Sequence, residues 1–213
     1  MKKVIAILTP LLLLVSITAK AEIGMGITGA VHMFDASGTE TTRNSLQKNT
    51  GSHDNNAVVP ELFIEAIGDN GLAVGFSYIP TRSLGSKSRT DSNSDGDSGT
   101  YKAEAELDNV AQLYVDVPLG SYPVYAKFGV QHVTLSTLES LNSGTTYPDA
   151  DLMGVTYGLG HKGDLPYGDS LYYKLEVTHT EFDGYSETGG STGNTLEADF
   201  DDTAAKVSIG YKF

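Results

Sequence analysis

Three groups of residues have the types and spacing that chemistry needs. The first is the run Asp91-Ser92-Asn93-Ser94-Asp95-Gly96-Asp97. Oxygen ligands at alternate positions, with glycine at the sharp turn, are how a calcium loop opens. Asp91, Asn93, Asp95 and Asp97 therefore form a candidate weak Ca2+ site. The twelfth position is Lys102, where such a loop places a bidentate glutamate, and no helical period flanks the run. A solvated acidic loop is the other reading, and no further cofactor is implied.

The second group is His32, His132 and His179, with Ser136 shortly beyond His132. A histidine near a hydroxyl begins a nucleophilic site, but no nucleophile elbow surrounds these residues and spacing alone makes no triad. The chain is read as non-enzymatic, with these histidines supporting loops or an interface. His53 and His161 stand apart from them. The third group is Glu61, Glu65, Lys127, Lys174, Glu176 and Lys206, charges set within otherwise alternating stretches. If they share an interior they must pair, because an isolated buried charge is very costly.

Whether they share one depends on the elements that carry them. Period-two alternation recurs along the chain and no helical i, i+3, i+4 pattern is sustained. It marks eight strands, near Ile23 to Met33, Val58 to Ile67, Leu72 to Tyr78, Tyr101 to Val117, Tyr122 to Leu135, Asp151 to Lys162, Ser170 to Phe182, and Thr203 to Phe213. The fourth reads as one unbroken phase, with Glu104, Glu106, Asp108, Gln112, Tyr114 and Asp116 on a single face. The connections alternate between short turns and long polar segments at residues 35–57, 81–100, 136–150 and 183–202. That rhythm with an even strand count is the layout of an up-and-down transmembrane β-barrel.

A soluble barrel would put charge outside and apolar residues inside. Here the polar face of several strands is Gly, Thr and Ala, which suits a crowded lumen, while the other face is Leu, Ile, Val, Phe, Met and Tyr. The expected fold is thus all-β: an eight-stranded antiparallel transmembrane barrel whose charges form a salt-bridge plug. Tyr122, Tyr173, Tyr211 and Phe213 fit an aromatic girdle at the short-turn end.

The two ends agree. MKKVIAILTPLLLLVSITAKA has a basic start, an apolar core of about twelve residues and an A-x-A site at Ala19 to Ala21, which reads as a secretory signal peptide. Residues 1–21 are expected to be removed and 22–213 to form one barrel domain. The absence of cysteine excludes disulfides and a lipid-anchored cysteine. Net charge is -13, and about -16 once Lys2, Lys3 and Lys20 leave with the leader, which argues against nucleic acid.

With its signal peptide, its long and short loops and its terminal Val207-x-Ile209-x-Tyr211-x-Phe213, the sequence resembles the small bacterial outer-membrane barrels, opacity-type proteins and OmpA-like transmembrane domains. The resemblance is architectural and spans the chain from Glu22. It implies an outer-membrane location, contact with lipid, and a final strand, Val207, Ile209, Tyr211 and Phe213, that the barrel-assembly machinery reads. The expected function is structural or surface interaction through four external loops with an unnamed partner, as a monomer. A narrow channel for small solutes or ions is the alternative, and a lipid-modifying enzyme comes after both.

Overall fold

The computed structural model describes residues 21–44, 46–91, 99–120, 123–140, 147–166, 170–190 and 193–213. The strands are β1 (Ala21–Thr41), β2 (Lys48–Gly68), β3 (Ala73–Ile79), β4 (Arg82–Asp91), β5 (Gly99–Pro118), β6 (Val124–Ser140), β7 (Ala150–Asp164), β8 (Leu171–Phe182), β9 (Tyr185–Thr188) and β10 (Thr195–Lys212). Every neighbouring pair is antiparallel, and β1 pairs with β10 from Gly24↔Lys212 to Thr41↔Thr195, so the sheet closes on itself. β3 and β4 are two segments of one stave, as are β8 and β9, giving the eight-stranded barrel its alternation predicted. From the short turns up to Leu62↔Tyr78 every strand is paired on both sides, the condition for crossing lipid with strands.

Alternation sorts the two faces. Along β10, Val207 and Ile209 are 58% and 52% exposed, while Lys206 and Ser208 between them are 7% and 2% exposed. Ile27, Leu62, Phe128, Leu159, Leu175 and Val177 complete an apolar outer band. Tight turns close the short-turn end. At Gly68 to Leu72, Gly71 takes a φ of 79°, and at the β5–β6 turn Gly120 takes 72°. Glycine supplies that left-handed conformation without a Cβ clash.

At the other end the strands run well past the expected boundaries. Much of the stretches read as long polar connections is ladder: β1 continues to Thr41, β2 begins at Lys48, and β5 and β6 pair up to Lys102↔Ser140. The reason is that alternation persists there with its polarity reversed. Outward positions change from Val31 and Met33 to Asp35, and from Val58 to Asn56 and Asp54, while inward positions change from His32 to Phe34 and from Glu61 to Val59. The upper barrel is water-facing outside and apolar inside.

β5 shows the same reversal by another device, which corrects the single phase expected for it. Its pairing with β6 shifts between Asp108 and Ala111, and Asn109 sits at φ 51°. This β-bulge flips the strand's faces. Leu107 stands opposite the buried Leu135, whereas Asp108 stands opposite Thr134 and its Oδ2 accepts a hydrogen bond from Ser136 Oγ at 2.9 Å. Glu106 and Asp108 therefore do not share a face with Gln112, Tyr114 and Asp116.

Candidate functional site

The lower lumen is filled by two ion clusters. In the one nearer the short turns, Lys174 Nζ lies 2.7 Å from Asp116, 2.9 Å from Glu65 and 3.7 Å from Glu176. Lys127 Nζ lies 3.0 Å from Asp116 and 2.9 Å from Glu176, over the face of the Tyr114 ring. Phenols donate to two of these carboxylates. Tyr114 and Tyr172 donate to Glu65 at 2.7 and 2.9 Å, and Tyr125 donates to Glu176 at 2.7 Å. Inward glycines make room for these rings: a Cβ at Gly75 would strike Tyr114, one at Gly160 would strike Tyr125, and one at Gly24 or Gly210 would strike Tyr172. The small residues of the polar face are thus seats for large ones on neighbouring strands.

The second cluster lies above the first. Lys206 Nζ donates to both oxygens of Glu61 at 2.9 and 3.1 Å. His32 bridges Glu61 at Nε2, 3.0 Å away, and Asp202 at Nδ1, 2.7 Å away, so carboxylates on both sides suit a ring protonated at both nitrogens. Gln112 donates to Gln131 and Thr156, and Thr156 bonds Thr180, which closes the layer across the opposite wall. Between the clusters, a void of about 10 Å³ lined by Lys127, Lys206, Ser77 and Gln112 has room for one water at most.

One inward step further out, the lining changes on every stave. Val59, Ile79, Val110, Val133 and Leu152 form a buried apolar cluster, with Phe34, Phe182 and Phe200 packed against it. Allowing for the stagger of tilted strands, these eight side chains make a ring directly over the polar layer. The Phe34 ring stacks on His32, with centroids 5.5 Å apart and planes within 9°. A void of about 50 Å³ remains among Phe34, Val133, Leu135, Leu152, Phe182 and Phe200. Above it, Tyr185 donates to the Pro148 carbonyl at 3.0 Å and Tyr147 to Glu40 at 2.9 Å, covering this chamber.

Beside the chamber, the wall changes character. β2 pairs with β3 from Ile67↔Ala73 up to Leu62↔Tyr78 and no further, while β4 pairs with β5. Among the described residues no ladder joins β2 to β4, which leaves a seam between Lys48–Glu61 and the β4 stave. Pro60 and Pro80 flank its lower end. Proline has no N–H for a ladder and within sheets is confined to edges and strand ends, so both prolines stand where pairing stops.

Two features occur on the outside at this level. Glu181, Asp201, Asp35 and Asp54 are direct partners across β8, β10, β1 and β2, a row of four carboxylates above the apolar band. Partial desolvation, a hydrogen bond with Asp54 and the Asp54 and Asp201 charges hold the Asp35 carboxyl above its usual range. Higher still is a cleft of about 800 Å³ lined by Ser37, Thr39, Thr50, Ser52, Tyr185, Glu197 and Asp199.

The six charges read from the sequence pair as Glu65–Lys174, Lys127–Glu176 and Glu61–Lys206. Asp116, His32, Asp202 and the three tyrosines complete the network; the sequence assigns none of them to it, grouping His32 with the other histidines and placing Asp116 and Tyr114 only on a polar strand face. Their signal was available in part, since Asp116 and His32 occupy polar-face positions of the alternation. The histidines do not converge: His32 is inside the lumen, His132 is 3.7 Å from Asp151 on the outer surface, and His179 Nδ1 lies 2.9 Å from Thr203 Oγ1. Tyr173 stacks on His161, and Tyr211 meets Phe213 edge to face with centroids 4.9 Å apart. Asn93, Asp95, Asp97 and Tyr122 lie outside the described residues, as does the Asp91 side chain and residues 1–20 of the signal segment.

No family model and no curated protein matches the sequence. Among solved structures, the outer membrane protein OprG from Pseudomonas aeruginosa is similar at 14% identity, over 92% of this chain and 98% of its own, with a TM-score of 0.54. Outer membrane protein AlkL, solved in lipid bilayers, is similar at 13% identity, over 92% of each chain, with a TM-score of 0.52. The likeness is one of fold.

Proposed function

We propose that this chain, whose fold is that of the small eight-stranded bacterial outer-membrane barrels, takes small apolar molecules into its outer chamber and releases them sideways through the lower end of the β2–β4 seam, at Val58 and Pro60, where the apolar outer band gives way to the water-facing upper barrel. The supporting observation is a coincidence of level: the lumen lining turns apolar where the wall beside it loses its ladder. Vertical passage is opposed by the two ion clusters and by a void there of only about 10 Å³. The chamber's own void of about 50 Å³ is smaller than a ligand of several carbons, so entry displaces Phe34, Phe182 or Phe200. An apolar void of this kind stays dry and accepts apolar guests.

A second reading, surface recognition by the extended hairpins, is favoured by the cleft of about 800 Å³, whose volume suits a bound ligand. Its lining of hydroxyls and the acids Glu197 and Asp199 calls for a hydrogen-bonding, non-acidic ligand. In either case Phe213, whose N–H bonds the Ile23 carbonyl at 2.9 Å, ends the closing strand and carries the expected assembly signal.

The test pairs two assays. Cells displaying the protein should accumulate an apolar fluorescent naphthylamine faster than cells without it, and Leu152→Asp, which puts a charge in the chamber, should remove at least about tenfold of that gain. The purified barrel in a planar bilayer should stay silent. Accumulation indifferent to the protein, with surface binding lost on trimming the β1–β2 hairpin, would replace uptake by the recognition reading.

A further inference from the structure

Asp202 stands where the plug meets the apolar chamber. It is the ladder partner of Phe34 on β1 and of Thr180 on β8, and Phe200 lies two positions further out on the same inward face. Its Oδ2 is held 2.7 Å from His32 Nδ1. Its Oδ1 has no hydrogen-bond partner among the described residues, although Asp202 is only 3% exposed. The neighbours have no donor to spare: Phe34 and Phe200 end in hydrocarbon, and the Thr180 hydroxyl is engaged with Thr156. A buried acceptor left unmet is costly, so this oxygen calls for a donor from outside the chain.

We propose that the preferred guest of the chamber is an apolar chain ending in a single hydroxyl, which donates to Asp202 Oδ1; this rests on the uptake reading and names the class of molecule taken up. Phe34 links entry to that oxygen. Its ring lines the chamber void and stacks on His32, so a guest that displaces it reaches the Asp202–His32 pair beneath. In the cluster of Glu61, Lys206, His32 and Asp202, two cations already face two carboxylates. A neutral head leaves that balance intact. An ammonium adds an uncompensated buried charge, and a carboxylate meets Asp202 with like charge. An ether of the same length brings only an acceptor and leaves Oδ1 as it was. Above the head, Val133, Leu135, Leu152 and Phe182 offer the chain an apolar wall.

The test uses the full chain refolded in phosphatidylcholine vesicles and labelled in the chamber by a diazirine-bearing hydrocarbon. Decane, 1-decanol, nonyl methyl ether and decylamine compete at equal mole fractions in the bilayer. 1-Decanol should halve labelling of Phe34 and Leu152 at a mole fraction at least about tenfold lower than decane or the ether requires, and decylamine should gain no such advantage. Asp202→Asn, which replaces an ionised acceptor by a neutral amide, should reduce the alcohol's advantage over decane to about threefold or less. A decanol carrying the diazirine beside its hydroxyl should label Phe34 and Phe200, and one carrying it at the methyl end should label Leu135 and Tyr185, higher in the chamber. Competition by decane with no gain from the hydroxyl would overturn this proposal and leave uptake standing, whereas competition by neither would remove both. An equal gain from the ether or the amine, an advantage that survives Asp202→Asn in full, or the same residues labelled by both decanols would also overturn it.

Discussion

Replacing Lys174 with methionine is expected to destabilise the barrel by about 3–5 kcal/mol, the usual cost of removing one partner from a buried ion pair. Lys174 is 2% exposed and faces Glu65, Asp116 and Glu176; without it Asp116 and Glu176 keep Lys127, while Glu65 keeps the Tyr114 and Tyr172 hydroxyls but loses its ion-pair partner. The hydrophobic part of the side chain survives in methionine, so the loss isolates charge. Urea unfolding followed by electrophoretic mobility should show the midpoint fall by about 1 M or more. Adding Glu65→Gln should recover part of the loss, because one uncompensated charge goes, one of Tyr114 and Tyr172 can still donate to the amide oxygen, and the other can accept from the amide N–H. Lys212→Met is the control. Its partner Asp164, 2.9 Å away, is 67% exposed at the side chain, and an exposed pair contributes at most about 1 kcal/mol.

The second large effect belongs to the seam. One outward step above Leu62↔Tyr78, the exposed Pro60 and Pro80 flank the lower end of the seam. Pro60→Cys with Pro80→Cys, joined by a short bismaleimide, should cut accumulation of the apolar dye by at least about tenfold if release is sideways. A cross-link between Leu62→Cys and Tyr78→Cys, within a rung that already exists, should leave accumulation unchanged. Equal loss from both cross-links would mean that general stiffening is responsible. No loss from the upper one would rule out this exit.

Much of this arrangement was legible in the residues themselves. Alternation such as Val207, Ile209, Tyr211 against Lys206, Ser208 marks a membrane strand because lipid and lumen impose opposite demands on successive side chains. The same logic made Glu61, Lys127, Lys174 and Lys206 lumen residues. What misled was the region above them. Sequences such as Phe34-Asp35-Ala36-Ser37 and Ala198-Asp199-Phe200-Asp201 still alternate, but with apolar residues inward, so outside lipid they resemble polar loops. The β5 bulge was hidden for a related reason: Asn109 adds one residue, and a continuous alternation on paper becomes a face reversal in space. The seam was not readable, since a missing ladder is a property of two strands that lie apart in sequence. Pro60 and Pro80 were its local trace, each removing a donor where pairing stops.

The central claim is that one lumen is divided, with a sealed polar half below and an apolar chamber above. The most direct measurement is photolabelling of the reconstituted barrel with a diazirine-bearing hydrocarbon, mapped by mass spectrometry with and without excess decane. The account predicts decane-suppressed labelling of Phe34, Val133 and Leu152, with none at Tyr125 or Tyr172 in the plug. Labelling confined to lipid-facing residues such as Ile27 and Leu159, unchanged by decane, would contradict it.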